Sequence, residues 1–170
     1  MIVLGIDPGF DRLGWATAQL LPSKKLNLLS YGLIETDKKK TLNERYLQID
    51  REITALIKEF HVDQAAMESL FFFRNKTTIV TVAQARGIVL SCLLRSQVEI
   101  FEYSPPQIKM AVTGYGRADK AAIGKMVRLQ FKLDELGKKA PIIDDTYDAM
   151  AVLLTHAGSY GLQQKLQTKN

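Results

Sequence analysis

Short apolar runs alternate along the chain with longer stretches in which apolar residues recur every three or four positions. The short runs, bounded by turn residues, predict strands over 1–6, 14–21, 26–36, 64–70 and 99–103. The periodic stretches predict helices over 41–60, 77–95, 118–133 and 144 to about 158, with one further helix that starts at Ser104. Thr41 and Glu44 have the spacing of a capping box at the start of the first helix.

The order of these elements predicts an α/β fold. Three strands joined by short turns come first, and helices and strands alternate after them. Strands linked by short turns pair antiparallel, whereas strands separated by a helix pair in parallel, so we expect a mixed five-stranded sheet with helices on both faces. No repeat or long linker divides the 170 residues. We expect a single domain over 1–158 and a polar C-terminal tail over 159–170.

Acidic residues stand where apolar elements end. Asp7 closes the first apolar run, in an Asp-Pro-Gly sequence, and Glu68 lies late in the fourth predicted strand. Asp145 and Asp148 are three residues apart in the last predicted helix, so they share one helix face. A simpler interpretation assigns Asp7 to a turn and Asp144 and Asp145 to helix capping. Capping does not account for Asp148, one turn inside the helix, or for Glu68.

Carboxylates that converge in one cleft repel each other unless a divalent cation neutralises them. Ligands that are all oxygen favour Mg²⁺ or Mn²⁺ over zinc. Two such ions ~3.5–4 Å apart can activate a water molecule and stabilise the leaving oxygen in phosphodiester hydrolysis. The acidic pattern therefore points to a nuclease with two metal ions per active site.

The charge and cysteine content bear on which partners and which cell compartment are expected. Lys and Arg total 23 against 18 Asp and Glu, which leaves a net charge of +5 and a pI near 9.3. This surplus permits a polyanionic partner but does not prove one. The single cysteine, Cys92, excludes an internal disulfide framework and favours a reducing cytoplasm. We expect no signal peptide and no membrane partner, since Asp7 interrupts the first apolar stretch and no apolar run approaches ~18 residues.

Five blocks of sequence resemble the RuvC-type Holliday junction resolvases, in order over residues 1–158. They are GIDPGFDRLGWA, AMESLFF, AQARG, EYSPPQIKMAVTGYGRADK and DDTYDAMAVLLTHA. The resemblance implies a ribonuclease-H-like fold and a homodimer that cuts four-way DNA junctions with Mg²⁺ or Mn²⁺. It also implies cooperation with a branch-migration helicase complex.

The resemblance implies a catalytic role for four acidic residues, which would also bind the metal. They are Asp7, Glu68, Asp145 and Asp148. Asp144 has no counterpart in the family that can be assigned, so whether Asp144 or Asp145 is the third ligand stays open.

The residues expected to bind DNA fall in two segments. In SLFFFRNKTT, three phenylalanines stand beside Arg74 and Lys76, and Phe71 matches a family position that stacks on or wedges between bases. The alternative is that one or two of these phenylalanines belong to the core. In the second segment, Lys109 and Lys120 match basic positions near the scissile phosphate. Arg117 is a weaker candidate, and the alternative is a solvated basic face.

The predicted helix over 77–95 is the leading candidate for a dimer interface. Its apolar residues spread over more than one face, so part of the helix must be covered by something beyond its own sheet. They are Ile79, Val80, Val82, Ile88, Val89, Leu90, Leu93 and Leu94. The alternative is that other helices of the same domain cover it.

Three other functions compete with junction cleavage. An actin-like ATPase also opens with a strand followed by Asp and Gly, but it needs two such subdomains. A ribonuclease-H-like nuclease that processes structured RNA is a closer rival, although it lacks the PPQIK…GYGRADK block. A module that binds junctions without cutting them is the third, and the presence of all four carboxylates argues against it.

Overall fold

The computed structural model describes residues 1–69, 76–134 and 144–167, except for the side chains of 76–79 and 161–167. Five strands and five helices follow one another in this part of the chain. The strands are β1 (Ile2–Asp7), β2 (Arg12–Leu20), β3 (Leu26–Glu35), β4 (Gln64–Glu68) and β5 (Glu99–Tyr103). The helices are α1 (Leu42–Phe60), α2 (Lys76–Arg95), α3 (Pro105–Thr113), α4 (Lys120–Phe131) and α5 (Asp144–Gln167).

The sheet has the strand order β3-β2-β1-β4-β5. β1, β2 and β3 form the expected antiparallel meander, and β4 and β5 are added in parallel beside β1. The mixed five-stranded sheet predicted from the element order is thus confirmed. The crossover helices explain the change of direction, because a parallel pair needs a long connection that returns the chain to the same end of the sheet.

Two apolar cores lie on opposite faces of the sheet. On one face, alternate residues of β1 and β4 such as Leu4, Ile6 and Met67 pack against α1 and α2. On the other face, Val3 and Ala66 belong to a core that α3, α4 and α5 cover. This alternation follows from the period of two in a strand. It matters for function because every second residue of β1, ending at Asp7, faces α5.

The helix ends agree with the predicted signals at two places, show one further cap, and differ from the prediction at one place. Thr41 and Glu44 form the expected capping box of α1. Ser104 precedes α3, where its backbone N–H donates to the Gln107 side chain over 2.8 Å. Asp119 caps α4 by accepting a hydrogen bond from the Ala122 N–H at 2.8 Å. The last helix was expected to end near residue 158 but continues to Gln167, because its final residues include good helix formers such as Gln, Leu and Lys.

Helix α2 is covered by its own domain more fully than its apolar pattern indicates. Val89 and Leu93 are fully buried in the core shared with α1. For these two positions the alternative of cover by another helix of the same chain holds, since α1 packs against them. Among the α2 side chains that the structure describes, those of Val80 and Leu94 are the large apolar ones that are exposed, at 58% and 66%. Within the described ranges, no helix is both long enough and apolar enough to cross a membrane.

A buried polar network, called here the histidine network, joins β4, β5 and α5. His156 is fully buried, with Nδ1 2.9 Å from the Tyr103 hydroxyl and Nε2 3.0 Å from Gln64 Oε1. Gln64 Nε2 donates to Glu99 over 2.6 Å, so Oε1 is left as the acceptor. His156 therefore donates through Nε2 and accepts through Nδ1 in its neutral form. Burial lowers the pKa of His156 to about 4, which keeps it neutral.

Candidate active site

Asp7 and Glu68 lie side by side at the ends of two parallel strands. β1 and β4 pair with Ile6 opposite Met67, so the next residue of each strand is acidic. Asp7 follows Gly5 on the face that α5 covers, and Glu68 follows Ala66 on the same face. The rigid sheet therefore presents two carboxylates to the first turn of α5.

Two glycines let α5 approach the sheet closely enough to complete the site. Gly14 pairs with Asp7 across the β1–β2 ladder, and a Cβ at Gly14 would lie 2.0 Å from the Asp145 carbonyl oxygen. A Cβ at Gly5 would lie 2.4 Å from the Ala149 carbonyl oxygen. Both contacts are with backbone that cannot move aside. Residues without side chains at these two positions thus allow the first turns of α5 to rest on the strands that carry the acidic residues.

Asp145 and Asp148 are the α5 residues that meet the strand carboxylates, and we call the four residues Asp7, Glu68, Asp145 and Asp148 the carboxylate edge. Burial raises the pKa of Asp7 to about 8, with further contributions from the negative charges of Asp148, Glu68 and Asp145. Burial also raises the pKa of Glu68, again with a contribution from Asp148. Burial raises the pKa of Asp148 in the same way. The four carboxylates are thus near enough to influence one another electrostatically.

Two cationic side chains compensate part of this negative charge. Lys120, at the start of α4, lies with Nζ 3.1 Å from Asp148 Oδ2. Arg12 Nε lies 3.1 Å from Asp145 Oδ2, but this buried oxygen accepts no hydrogen bond, so the contact is an ion pair only. Lys120 also lowers the pKa of Asp7 and Glu68 slightly against the larger effects that raise them. Arg12 was not among the residues predicted from the sequence.

The donor set of the carboxylate edge suits a hard divalent cation. All four groups are carboxylates, three of them are destabilised in their charged form, and the Asp145 oxygen lacks a donor. In the described ranges, no three acidic, histidine or cysteine side chains stand so that they could hold a metal ion together. Lys120 and Arg12 engage two of the four carboxylates, so ion binding would require these two cations to release their partners.

Asp144 differs from Asp145 in its surroundings. The Asp144 side chain is exposed, whereas Asp145 is partly buried and reaches the pair of strands through Arg12. Of these two residues, Asp145 contributes to the raised pKa of Asp7, whereas both contribute to the raised pKa of Asp148. The structure thus favours Asp145 as the third member of the site.

The structure describes the side chains of three of the predicted DNA-binding residues, Lys109, Arg117 and Lys120. Lys109 in α3 is near enough to Glu68 to lower its pKa, and Lys120 contacts Asp148 directly. Arg117 is exposed in the turn before α4. Phe71 and Arg74 lie outside the described residues. The backbone of Lys76 begins α2, but its side chain is outside the part of the chain that the structure describes.

Arg45 holds the loop that follows Asp7, a role that the sequence pattern did not reveal. This buried side chain from α1 donates to Thr36 Oγ1 over 2.9 and 2.6 Å and pairs with Asp11. Its guanidinium carbon also lies 3.8 Å from the centre of the Phe10 ring. An arginine in an amphipathic helix is usually exposed to solvent, so only the tertiary contacts identify Arg45 as a residue that holds this loop. The clamp fixes residues 10–11 and hence the end of β1.

Comparison with known proteins places this site in one family. The model of the family described as crossover junction endodeoxyribonuclease RuvC matches residues 3–156. Proteins of that name from Petrotoga mobilis and Halothermothrix orenii are similar to this chain. The first is 42% identical over 156 residues, covering 92% of this chain and 93% of the relative. The second is 37% identical over 169 residues, covering 99% of both.

Solved structures agree with the sequence matches. The structure of Thermus thermophilus RuvC in complex with Holliday junction substrate has a TM-score of 0.86 and 31% identity, and covers 96% of each chain. The yeast mitochondrial Holliday junction resolvase Ydc2 has a TM-score of 0.68, covers 98% of this chain and 83% of that one, and at 11% identity shows the fold alone. The predicted ribonuclease-H-like fold is confirmed. The chain belongs to the RuvC family of crossover junction endodeoxyribonucleases.

Proposed function

We propose that this chain resolves four-way DNA junctions by hydrolysing phosphodiester bonds at the carboxylate edge. The observation that carries the proposal is the convergence of Asp7, Glu68, Asp145 and Asp148 in a chain that matches the RuvC family over residues 3–156. Its relatives are named endodeoxyribonucleases, and a similar Thermus thermophilus structure is described as a complex with Holliday junction substrate. Acidic residues whose burial opposes their charge are poor stabilisers of a fold, which favours a role in binding a cation.

The metal proposed for the site is Mg²⁺ or Mn²⁺, with two ions per active site. When bound, the ions would neutralise the carboxylates and supply Lewis acidity for attack of water on the phosphate. Asp7 and Glu68 would hold them from the sheet, and Asp145 and Asp148 from α5. The sheet and the backbone contacts at Gly5 and Gly14 keep these donors from drifting apart.

Basic residues of the same region are proposed to hold the DNA backbone. Lys120 already contacts Asp148, and a phosphate brought into the site offers its ammonium group an alternative partner. Lys109 is placed to act beside Glu68. Phe71, Arg74, Lys76 and Arg117 remain predicted DNA contacts, with Phe71 as the base-stacking residue.

Incubation with a synthetic four-way junction tests this function. We expect paired cuts in the presence of Mg²⁺ or Mn²⁺ and none in EDTA, whereas a linear duplex of the same sequence should stay intact. Asp7→Asn should bind the junction but fail to cut it. Equal cutting of the junction and the linear duplex, or cutting in EDTA, would contradict the proposal.

We further propose that the active unit is a symmetric dimer built on α2. Two cuts in related strands need two sites, and each chain has one carboxylate edge. The surface of α2 carries a stripe of exposed residues with alternating spacings of four and three, which is the spacing found along the contact line of two packed helices. Its members are Val80, Gln84, Gly87, Ser91 and Leu94. The small residues in the middle would allow close approach of a second α2.

Sedimentation of a charged variant tests the dimer. Leu94 is 66% exposed in the chain, so Leu94→Glu should leave the fold intact and yet yield monomers that cut junctions poorly. Leu47→Glu is the matched control, because Leu47 is 54% exposed on α1. A wild-type chain that is monomeric on junction DNA and still makes both cuts together would refute the dimer. The branch-migration helicase complex and a cytoplasmic location stay predictions from the sequence.

A further inference from the structure

A cleft between α4 and α5 opens beside the carboxylate edge and is not used by the mechanism described so far. Its volume is about 720 Å³, within the range of ~300–1,000 Å³ typical of ligand sites. One wall comes from α4 and the other from the first turn of α5. Lys120 and Asp148, which contact each other in the active site, also line the cleft. Anything bound in the cleft would therefore lie next to the scissile phosphate.

The α4 wall combines apolar surface with positive charge. Leu129 is 64% exposed there although it is a large apolar residue, and Ile123 forms part of the lining. Gly124 leaves the wall open, since a Cβ at that position would meet nothing within 4 Å. Lys125 is exposed on the same helix. A phosphate alone would match the lysines but would leave the apolar surface uncovered.

The α5 wall supplies an aromatic ring that is held in place. The Tyr147 hydroxyl accepts a hydrogen bond of 2.6 Å from Arg128, which also pairs with Asp134 over 2.5 Å. The ring is partly buried against the core beneath α4 and α5. Aromatic and apolar side chains that flank a slot are the usual partners of an unstacked base.

We propose that this cleft receives one unstacked nucleotide of the cleaved strand, adjacent to the scissile phosphate. The base lies against Leu129 and Tyr147, and the phosphate of the same nucleotide lies near Lys120 and Lys125. The charged residues that line the cleft balance, with Lys120, Lys125 and Arg128 against Asp134, Asp144 and Asp148. Continuity with the active site therefore decides the occupant: a DNA strand that reaches Asp148 lies at the mouth of the cleft, which favours a nucleotide over a protein partner. The cleft would hold the strand in register for cutting. This inference rests on the proposed function.

Filling the cleft tests the proposal without disturbing the core. Gly124 does not have a positive φ, so Gly124→Phe suits the backbone and places a ring in the open space. We expect it to cut four-way junctions about tenfold more slowly or worse, with an unchanged melting temperature. Two controls should cut within about twofold of the wild type. They are Gly124→Ala, which leaves the cleft open, and Gly158→Phe, which puts the same ring at an exposed α5 position with no neighbour within 4 Å.

A fluorescent base separates nucleotide binding from other causes of slow cutting. With 2-aminopurine placed in turn on each side of the cut and Ca²⁺ replacing Mg²⁺, wild-type protein should increase the fluorescence at one position as the base leaves the stack. Gly124→Phe should abolish that increase. If Gly124→Phe fails to fold, the exposed Leu129→Ser serves instead, with cutting about fivefold slower and a weaker signal.

The outcomes are distinct. Normal cutting by Gly124→Phe would overturn the inference, and so would slow cutting with the wild-type fluorescence change, which would mean that the cleft does not hold the base. A wild-type protein that cuts no junction would instead defeat the proposed function itself.

Discussion

Two groups of polar side chains lie between the sheet and α5, roughly two helical turns apart. In the histidine network, His156, Tyr103 and Gln64 are buried, and each polar atom that faces its neighbour has a hydrogen-bond partner. At the carboxylate edge, burial instead opposes the charge of Asp7 and raises its pKa to about 8. The sheet and α5 thus contain one region in which buried polar groups are hydrogen-bonded and a second region in which burial opposes the charge of a carboxylate.

The difference separates polar groups that hold the fold from those that await a ligand. A buried hydrogen-bonded network stabilises and specifies the packing of α5 on β4 and β5. Crowded carboxylates reduce stability until a cation compensates them. The two regions are therefore expected to respond in opposite directions to mutation and to pH.

The largest expected effect is on catalysis at the carboxylate edge. Asp148→Asn should keep its shape and lose its charge, and should reduce junction cleavage about 10³-fold, since charge stabilisation by bound metal is worth several kcal/mol. Asp7→Asn, Glu68→Gln and Asp145→Asn should behave alike. Single-turnover cleavage of a four-way junction measures the effect.

Asp144→Asn is the internal control for this series. Its exposed side chain predicts substantial remaining activity. If Asp144→Asn were inactive and Asp145→Asn active, the two residues would exchange roles. Near-normal cutting by Asp148→Asn would remove that residue from the site.

The next effect concerns stability at the histidine network. His156→Ala removes the hydrogen bonds from His156 to Gln64 Oε1 and to the Tyr103 hydroxyl and opens a cavity, so we expect a loss of about 3 kcal/mol in the free energy of unfolding. Urea denaturation measures it. Cleavage at a temperature where the variant remains folded should change little. A variant as stable as the wild type would show that the network is not structural.

A smaller effect of opposite sign is expected at Asp7. The pKa of Asp7 is raised in the folded protein above its usual value of 3.8. The contribution of Asp7 to the free energy of unfolding is therefore lost as the pH rises from about 4 through 8. Asp7→Asn should therefore raise the free energy of unfolding near pH 8, by at least about 1 kcal/mol. His156 has a lowered pKa, so its contribution is lost as pH falls from 6.5 toward 4.

Denaturation series of both variants across pH 4–8, without divalent metal, test these opposite signs. The advantage of Asp7→Asn over the wild type should grow with pH. The penalty of His156→Ala should shrink as the pH falls below 6.5. Parallel curves for the two variants would contradict the contrast between the regions.

The smallest effect concerns the DNA contacts beside the carboxylate edge. Lys109→Gln should weaken junction binding for all sequences and reduce the slope of log affinity against log salt by roughly one, because one phosphate contact is lost. Lys58→Gln, on the exposed side of α1, should leave the slope unchanged. An unchanged slope for Lys109→Gln would assign that lysine to solubility.

Local signals in the sequence were sufficient to predict most of the elements. Strand runs, the Thr41 capping box and the Ser104 helix start depend on neighbours within a few positions, and the structure confirms them. The end of α5 was placed too early, at Gly158, because a glycine near a helix end is typical of a C-cap and yet the helix continues through it. The sequence left open what covers Val89 and Leu93, because an apolar face does not reveal its partner.

The sequence by itself determined which residue types could perform the chemistry and on which kind of element each would lie. Only the tertiary structure decided that Asp7 and Glu68 share a sheet face with the first turn of α5, and that Gly5 and Gly14 admit that turn. It also decided the partners of Arg12, Arg45 and His156. Propensity and periodicity act over a few residues, whereas burial, charge repulsion and ion pairing depend on distances between residues far apart in the chain.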